Sequence, residues 1–341
     1  MNIPNIRLLN QQLVAPLFSD AHDLVGWMGM VQAQEYRMMR WAVALRLKSP
    51  KMEAFRKAYD SGRIVRTHLF RCTWQLVTAE DLRWMSRLCA EKNKRAINGY
   101  LKTYGLDISE RQYERFNDLV SQVLSGTDSM LKDDLVSSLK EMGFCVDSHT
   151  FSIYLRRAEF DGVICSGRLD ARQNTYALVE KRIPRFDELS HEESLMMLAR
   201  KYFRSHSPAT MQDFIWWTGL AARDCQKAVC FVGKELSEYI HDGETYYIYR
   251  DCRIRGCRGK TLLLPSYDEY LIGYKSRFHV IENDFRSYAF SNNGLFYPVI
   301  VSDGRIVGNW HPQKKNTCFF REEYRTDIEG AFGEYLRFVS S

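Results

Sequence analysis

The sequence predicts an α+β protein in which helix, helix-turn-helix and hairpin follow one another in repeated units before a β-rich end. Three observations predict it. Residues 106–186 and 187–250 each begin with a helical apolar period, continue through two shorter helices and finish in two short extended runs with turn residues between them. From residue 251 onward the pattern changes to apolar runs broken by turns such as DGR, and the chain closes on a helical stretch, REEYRTDIEGAFGEYLRFVSS. At 341 residues and 45% hydrophobic content, the chain is long and apolar enough for more than one core, with two or three domains as the prior.

Taken in order, SDAHDLVGWMGMVQAQ opens on the cap-type residues Ser19 and Asp20, and Leu24, Trp27, Met28 and Val31 recur at helical spacing, with Gly26 and Gly29 on the same strip. EAFRKAYDSGRIVRTH predicts a helix stopped near Gly62, THLFRCTWQLV a strand, and TAEDLRWM a long helix with a capping box from Thr78 to Asp81. ISERQYERFNDLVSQVL is a helix, DSMLKDDLVSSLKEMG a shorter one with Leu131, Leu135 and Leu139 four apart, and SHTFSIYLRRAEFDG a third. GVICSG and NTYALVEKRI are strands joined by RLDARQ. Three helices followed by a hairpin is winged-helix topology. It places SHTFSIYLRRAEF at the recognition-helix position, carrying Ser148, His149, Thr150, Arg156 and Arg157, and makes RLDARQ a wing with Arg168 and Arg172.

SHEESLMMLARKYFRSH starts the same order again, SPATMQDFIWWTGLAARDCQKAVCFVG supplies two helices broken at Gly219 with Pro208 in the first turn, and HDGE turns a second hairpin. The expected division is therefore a first, looser winged-helix-like unit at 1–105 that carries Gln-Ala-Gln, a second at 106–186, a third at 187–250, and a β-rich subdomain with terminal helix at 251–341. The repeat is architectural, without letter-by-letter likeness. Several such units in one chain make a continuous surface suited to wrapping a duplex, more than a half-site repressor needs.

Composition excludes several classes. No basic stretch followed by a long apolar run opens the chain, and no window approaches the roughly 18 apolar residues of a membrane span, so a cytoplasmic protein, on the nucleoid when bound to DNA, is expected. The nine cysteines are scattered, and the nearest approach to a metal pattern, Cys252 and Cys257, lacks a second ligand pair, so no metal is expected. No phosphate loop, HExxH or GxSxG occurs, and no cofactor is expected. The net charge of +6 permits an anionic partner. Two clusters point to where one would bind: Arg63, Arg66 and Arg71 around His68, and Arg250, Arg253, Arg255, Arg258 and Lys260 in RDCRIRGCRGK. Asp268 and Glu269, between apolar runs in SYDEYLIGY, are the carboxylates to weigh.

RLLNQQLVAPLF, VQAQEY, RTHLFRCTWQLV, SPATMQDFIWWTGL, LLPSYDEYLIGY and GRIVGNW together resemble the bacterial winged-helix DNA glycosylases of the AlkZ type, nearly end to end. The resemblance implies tandem winged-helix units arranged as a C-shaped clamp, a monomer acting on double-stranded DNA, and excision of alkylated purines, chiefly N7-alkylguanine, with unhooking of interstrand cross-links in some members. The family's catalytic element, Gln, an apolar residue, then Gln or Asp, is matched by Gln32, Ala33 and Gln34. The family strand motif THVLRPTWH reads THLFRCTWQ here, so Thr67, His68, Arg71, Thr73 and Trp74 carry over, while Cys72 replaces proline and Gln75 replaces the second histidine. Asp268 matches an acid of the family pattern. The DNA-binding or site-lining set is thus Arg66, His68, Arg71, Thr73, Trp74, Gln75, His149, Arg168, Arg172, Arg253, Arg255, Arg258 and Asp268.

Glutamine is neither a base nor a nucleophile of use. A purine alkylated at N7, however, is cationic and already a good leaving group. What remains is to hold a water against C1′ and to stabilise oxocarbenium character, which an amide carbonyl can do. Residues two apart share no face of an α-helix but do share one in an extended segment, so this chemistry requires the helix to end near Val31. No lysine stands beside the doublet to form a Schiff base, so a monofunctional glycosylase is expected. The alternatives are a non-catalytic winged-helix regulator and a protein-interaction scaffold.

Overall fold

A computed structural model describes residues 1–255, 260–314 and 316–341. The chain runs through α1 (Ile3–Asn10), α2 (Ala21–Met28), β1 (Val31–Gln32), α3 (Met38–Ala44), α4 (Met52–Asp60), β2 (Ile64–His68), β3 (Trp74–Thr78) and α5 (Ala79–Thr103). It continues with α6 (Glu110–Ser125), β4 (Met130–Leu131), α7 (Lys132–Glu141), α8 (Ser148–Phe160), β5 (Ile164–Ser166), β6 (Thr175–Leu178) and α9 (Val179–Arg182). Then follow α10 (His191–His206), β7 (Ala209–Thr210), α11 (Met211–Thr218), α12 (Ala222–Val232), β8 (Leu236–His241) and β9 (Glu244–Tyr249). The end comprises β10 (Thr261–Leu264), α13 (Glu269–Ile272), α14 (Arg286–Ala289), β11 (Val299–Ser302), β12 (Arg305–His311), β13 (Asn316–Phe319) and α15 (Glu329–Ser340). Two compact units result, one of residues 56–194 and a discontinuous one of 1–55 with 195–341.

In the 56–194 unit, α6 shows how sequence sets packing. Tyr113, Phe116, Val120 and Leu124 recur at three- and four-residue spacing, and all four are buried against Leu135 and Leu139 of α7 and Phe151 and Tyr154 of α8. Ser109 and Gln112 close a capping box at its start. The three short strands form an antiparallel sheet in the order β4-β6-β5.

The discontinuous unit repeats that order of elements: α10, β7, α11, α12, β8 and β9, with the sheet ordered β7-β9-β8. The HDGE turn behaves as its sequence requires, with positive φ at Asp242 (49°) and Gly243 (79°). Its other core lies under an antiparallel sheet, β10-β11-β12-β13, where Val299, Ile300, Trp310 and the Leu262–Leu264 run meet Leu8 and Leu9 of α1, Trp41 of α3, and Tyr335 and Phe338 of α15. The β-rich end and its terminal helix are therefore present.

Several local expectations are corrected. THLFRCTWQLV is not one strand: β2 and β3 pair antiparallel through His68↔Trp74, and the chain turns between them with Arg71 (φ 60°) and Cys72 (φ 55°) in left-handed backbone. Its β-branched and aromatic residues support pairing equally well within a hairpin. Thr78 caps α5 with its backbone alone, and Asp81 instead accepts the Trp84 indole N–H at 3.1 Å. Pro208 precedes β7 rather than opening α11, whose cap is a Thr210–Asp213 capping box. Within TLLLPSYDEYLIGY only Thr261–Leu264 is strand, and Asp268 caps the short helix α13 by accepting the Tyr270 N–H at 2.9 Å.

Asp213 ties much of this unit together. Its carboxylate accepts the N–H groups of Thr210 (3.0 Å), Lys275 (2.8 Å) and Ser276 (3.2 Å) and lies 3.5 Å from the buried Arg7 guanidinium. Removing one partner of a buried ion pair typically costs about 3–5 kcal/mol. Asp213→Ala is expected to lower the urea midpoint accordingly, with an unchanged midpoint as the contrary result.

Candidate active site

The Gln-Ala-Gln segment begins where α2 stops. Gly29 takes φ +82°, which a β-carbon would resist, and an added Cβ would lie 3.0 Å from Lys201 Cβ. Helix α10 holds the last turn: Lys201 Nζ donates to the Gly26 carbonyl (3.1 Å), and the Arg204 guanidinium donates to those of Gly26 (2.8 Å) and Trp27 (3.1 Å). The helix thus ends at Met28, three residues before Val31, and Val31 and Gln32 are extended. Beyond the doublet, the Glu35 carboxylate accepts the Arg37 (3.3 Å) and Met38 (2.6 Å) N–H groups at the start of α3. The segment is therefore pinned at both ends, extended at Val31 and Gln32 and bending at Gln34, so the expected extended run does not reach the second glutamine.

From below it is held by Glu269. One carboxylate oxygen accepts the Gln32 backbone N–H at 2.7 Å; the other accepts the Trp217 indole N–H at 3.0 Å and lies 3.4 Å from His206 Nε2. Glu269, Trp217 and His206 are all buried. Burial pushes the His206 imidazole below its ordinary range, against the pull of Glu269. A neutral ring with Nδ1 2.8 Å from Ser205 Oγ fits this.

Asp268, beside Glu269, forms a bidentate pair with Arg46, at 2.7 and 2.9 Å, with both side chains fully enclosed. Arg46 also donates to the Ala42 carbonyl (2.7 Å) and Gln11 Oε1 (3.3 Å), and the Gln11 amide donates to the Tyr274 hydroxyl at 3.0 Å. The motifs RLLNQQLV and SYDEYLIGY thus meet in one buried polar network beneath the glutamine segment.

The two glutamines lie at different depths: Gln32 is 3% exposed, whereas Gln34 is exposed. Asp268 is enclosed in its ion pair. Arg253 is half-buried and donates to the Ala15 carbonyl at 3.0 Å, while Arg255 is exposed. Arg258 and Cys257 lie outside the described residues. The Cys252 thiol is pushed up to about 12 by burial.

The residues expected in the 56–194 unit fall into two groups. Arg66 is buried and stacks on Trp74 at 3.8 Å, donating to Asn174 Oδ1 at 2.8 Å. His68 packs on the same indole, with its Nδ1 against the buried Glu159 carboxylate, and burial lowers its pKa against the opposing influence of Glu159. Gln75, buried, braces the turn between β2 and β3 by accepting the Phe70 N–H (3.1 Å) and donating to the Phe70 carbonyl (3.3 Å). Arg71, Thr73 and Trp74 are half-buried. His149 is exposed at the first turn of α8, 3.1 Å from the Tyr100 hydroxyl, and Arg168 and Arg172 are exposed between β5 and β6. Arg157, by contrast, is sequestered by Glu110 and Asp161.

Sequence reasoning missed His206, Arg46, Gln11 and Trp217, and it left Glu269 without a role. Glu269 gave a signal as a carboxylate heading the apolar run EYLI, and Gln11 and Trp217 lie within the family strings RLLNQQLVAPLF and SPATMQDFIWWTGL.

Gln32 and Gln34 thus stand on one segment anchored at both ends, with Gln32 enclosed and Gln34 exposed. The class is that of DNA glycosylases. The AlkZ-like DNA glycosylase family model matches residues 25–337, and the chain belongs to that family. The interstrand DNA cross-link repair glycosylase of Streptomyces sahachiroi is 24% identical over 325 residues, covering 89% of this chain and 85% of the relative. The solved structure of Streptomyces sahachiroi DNA glycosylase AlkZ, at 21% identity, superposes with a TM-score of 0.81 over 99% of this chain and 96% of the other, so the mixed α/β fold is shared.

The buried histidines give a pH dependence. A His206 that resists protonation when folded binds fewer protons than the unfolded chain. Its share of stability is complete above the ordinary value of 6.5 and is lost as pH falls below it. His68 has the same sign, and so does His279, pushed down to about 4 by burial and by Arg7. The urea midpoint is expected to fall on acidification from pH 7 to 5, less steeply in His206→Asn; a midpoint that rises would contradict it.

Proposed function

We propose that this DNA glycosylase hydrolyses the N-glycosidic bond of N7-alkylated purines in duplex DNA, using water positioned by the glutamine doublet. The observation that carries the reading is the exposed Gln34 on a segment whose backbone is fixed by the buried Glu269 at Gln32. Gln34 touches substrate: its carbonyl accepts a hydrogen bond from the attacking water and faces the developing positive charge at C1′. Gln32 stands behind it as a second amide. N7 alkylation supplies the leaving-group activation, so no strong acid is needed and neutral purines are poor substrates.

The repeated helix–strand–helix–helix–hairpin order supports tandem winged-helix units that bind the duplex. The protein acts on it as a monomer in the cytoplasm. The exposed His149, Arg168, Arg172 and Arg255 are the side chains we assign to phosphate and groove contacts. The buried Arg66, His68 and Gln75 shape the loop that carries Arg71, Thr73 and Trp74. The name of the Streptomyces relative supports extending the substrate range to interstrand cross-links. Because such a lesion tethers two strands, the segment is brought to the duplex rather than the base being extruded into a deep pocket.

Losing a positioned hydrogen-bonding group in a transition state costs about 3 kcal/mol, on the order of a hundredfold in rate. Gln34→Ala is expected to lose at least about that factor in single-turnover release of N7-methylguanine while duplex binding is retained. An unchanged rate would contradict the role. Borohydride trapping during turnover should give no covalent adduct, since Lys201, the lysine that packs on the end of α2, has its Nζ engaged with the Gly26 carbonyl at 3.1 Å; a strong adduct would replace hydrolysis by Schiff-base chemistry.

A further inference from the structure

Within the 56–194 unit, β2, β3, α7, α8 and β6 surround a cleft of about 240 Å³, lined by His68, Trp74, Lys132, Arg156 and Glu159 among others. We propose that this cleft holds one unpaired nucleotide of a DNA strand, its phosphate at the rim and its exocyclic amino group at the floor, with cytosine preferred over thymine. The inference goes beyond the glutamine doublet and does not depend on its chemistry.

Helix α8 sets the shape. It stands at the recognition-helix position, yet residues 153–155 and 157–160 are buried. Ser152, Arg156 and Glu159 follow at four- and three-residue spacing, which puts them on one face, and all three line the cleft. On the opposite wall Trp74 is held by Arg66 and His68, each 3.8 Å from its ring. Trp74 and Leu155 give a flat ring an apolar wall to lie against.

Charge then runs in opposite senses at the two ends. Lys132 and Arg156 are half-buried at the rim, and neither side chain has a hydrogen bond or ion pair among the described residues. At the floor Glu159 is 4% exposed. Its Oε2 faces His68 Nδ1, while its Oε1 has no hydrogen-bond partner among the described residues. A buried carboxylate oxygen without a donor is unfavourable, so a guest that brings one is favoured.

These two ends exclude simpler guests. A lone inorganic anion would meet Glu159, and a lone cation would meet Lys132 and Arg156. A nucleotide carries an anion at one end and ring-edge groups at the other. The cytosine N4 amino group donates to Oε1, which is how acidic side chains read that base. Thymine turns its O4 acceptor to the same oxygen and is repelled. Only an unpaired base has this edge free.

The test measures affinity for two single strands, oligodeoxycytidylate and oligothymidylate, by fluorescence anisotropy at neutral pH and several salt concentrations. Proteins are the wild type, Glu159→Gln and Lys132→Ala/Arg156→Ala. In Glu159→Gln the amide oxygen keeps facing His68 Nδ1–H and the amide nitrogen replaces Oε1, so the floor donates instead of accepting. The wild type is expected to bind the cytosine strand about tenfold more tightly, as one hydrogen bond to a charged group allows. Glu159→Gln should lose or reverse that preference. The rim variant should bind both strands more weakly, with a shallower salt dependence, and keep the preference. A wild type without preference for cytosine would overturn the proposal, as would a preference that survives Glu159→Gln or a rim variant of unchanged affinity. If Glu159→Gln does not fold, the wild type and the rim variant decide between these outcomes. Base release by Gln34 is read separately, so failure here leaves the glycosylase reading intact.

Discussion

The site depends on one buried hydrogen bond, from the Gln32 backbone N–H to Glu269 at 2.7 Å. A two-residue strand has almost no stability of its own, because few ladder bonds offset the ordering of its backbone. Here a carboxylate fixed by the Trp217 indole and set beside a neutral His206 adds a buried anchor at the Gln32 N–H. The carboxylate is costly to bury, and that cost is offset by the hydrogen bonds it accepts. The Arg46–Asp268 pair immediately beside it fixes α13, so Glu269 cannot shift without breaking an enclosed ion pair.

This rigidity suits weak chemistry. A glutamine carbonyl has little power as a base, so its value lies in where it stands. A cationic alkylpurine asks for placement of water and for a dipole, and both lose their worth if the amide wanders. The division between an enclosed Gln32 and an exposed Gln34 fits that demand, since one end of the segment is rooted in the core and the other reaches out.

Much of the fold was legible because its signals are local. The apolar periods of α6, α7, α8 and α10 and the HDGE and DGR turns each follow from residues a few positions apart. The end of α2 was legible to within three residues, because Gly29 marks it. The support of the site was not legible, because it is assembled over long separations. Gln32 and Glu269 are 237 residues apart, and Arg46 and Asp268 are 222 apart. The basic string around His68 misled for a related reason. Arg66 is expected at the DNA from its place in that string and Gln75 from its place in the family motif, but the β2–β3 hairpin turns them inward onto Trp74 and the Phe70 backbone.

The most direct measurement is hydrogen exchange at the Gln32 amide, followed by NMR in the wild type and in Glu269→Ala, alongside single-turnover base release. If Glu269 positions the doublet, the Gln32 amide exchanges slowly in the wild type and far faster in the variant, and base release falls with it while the remaining core amides keep their protection. A Gln32 amide that exchanges equally fast in both proteins, with base release unchanged, would contradict the central role given to this hydrogen bond.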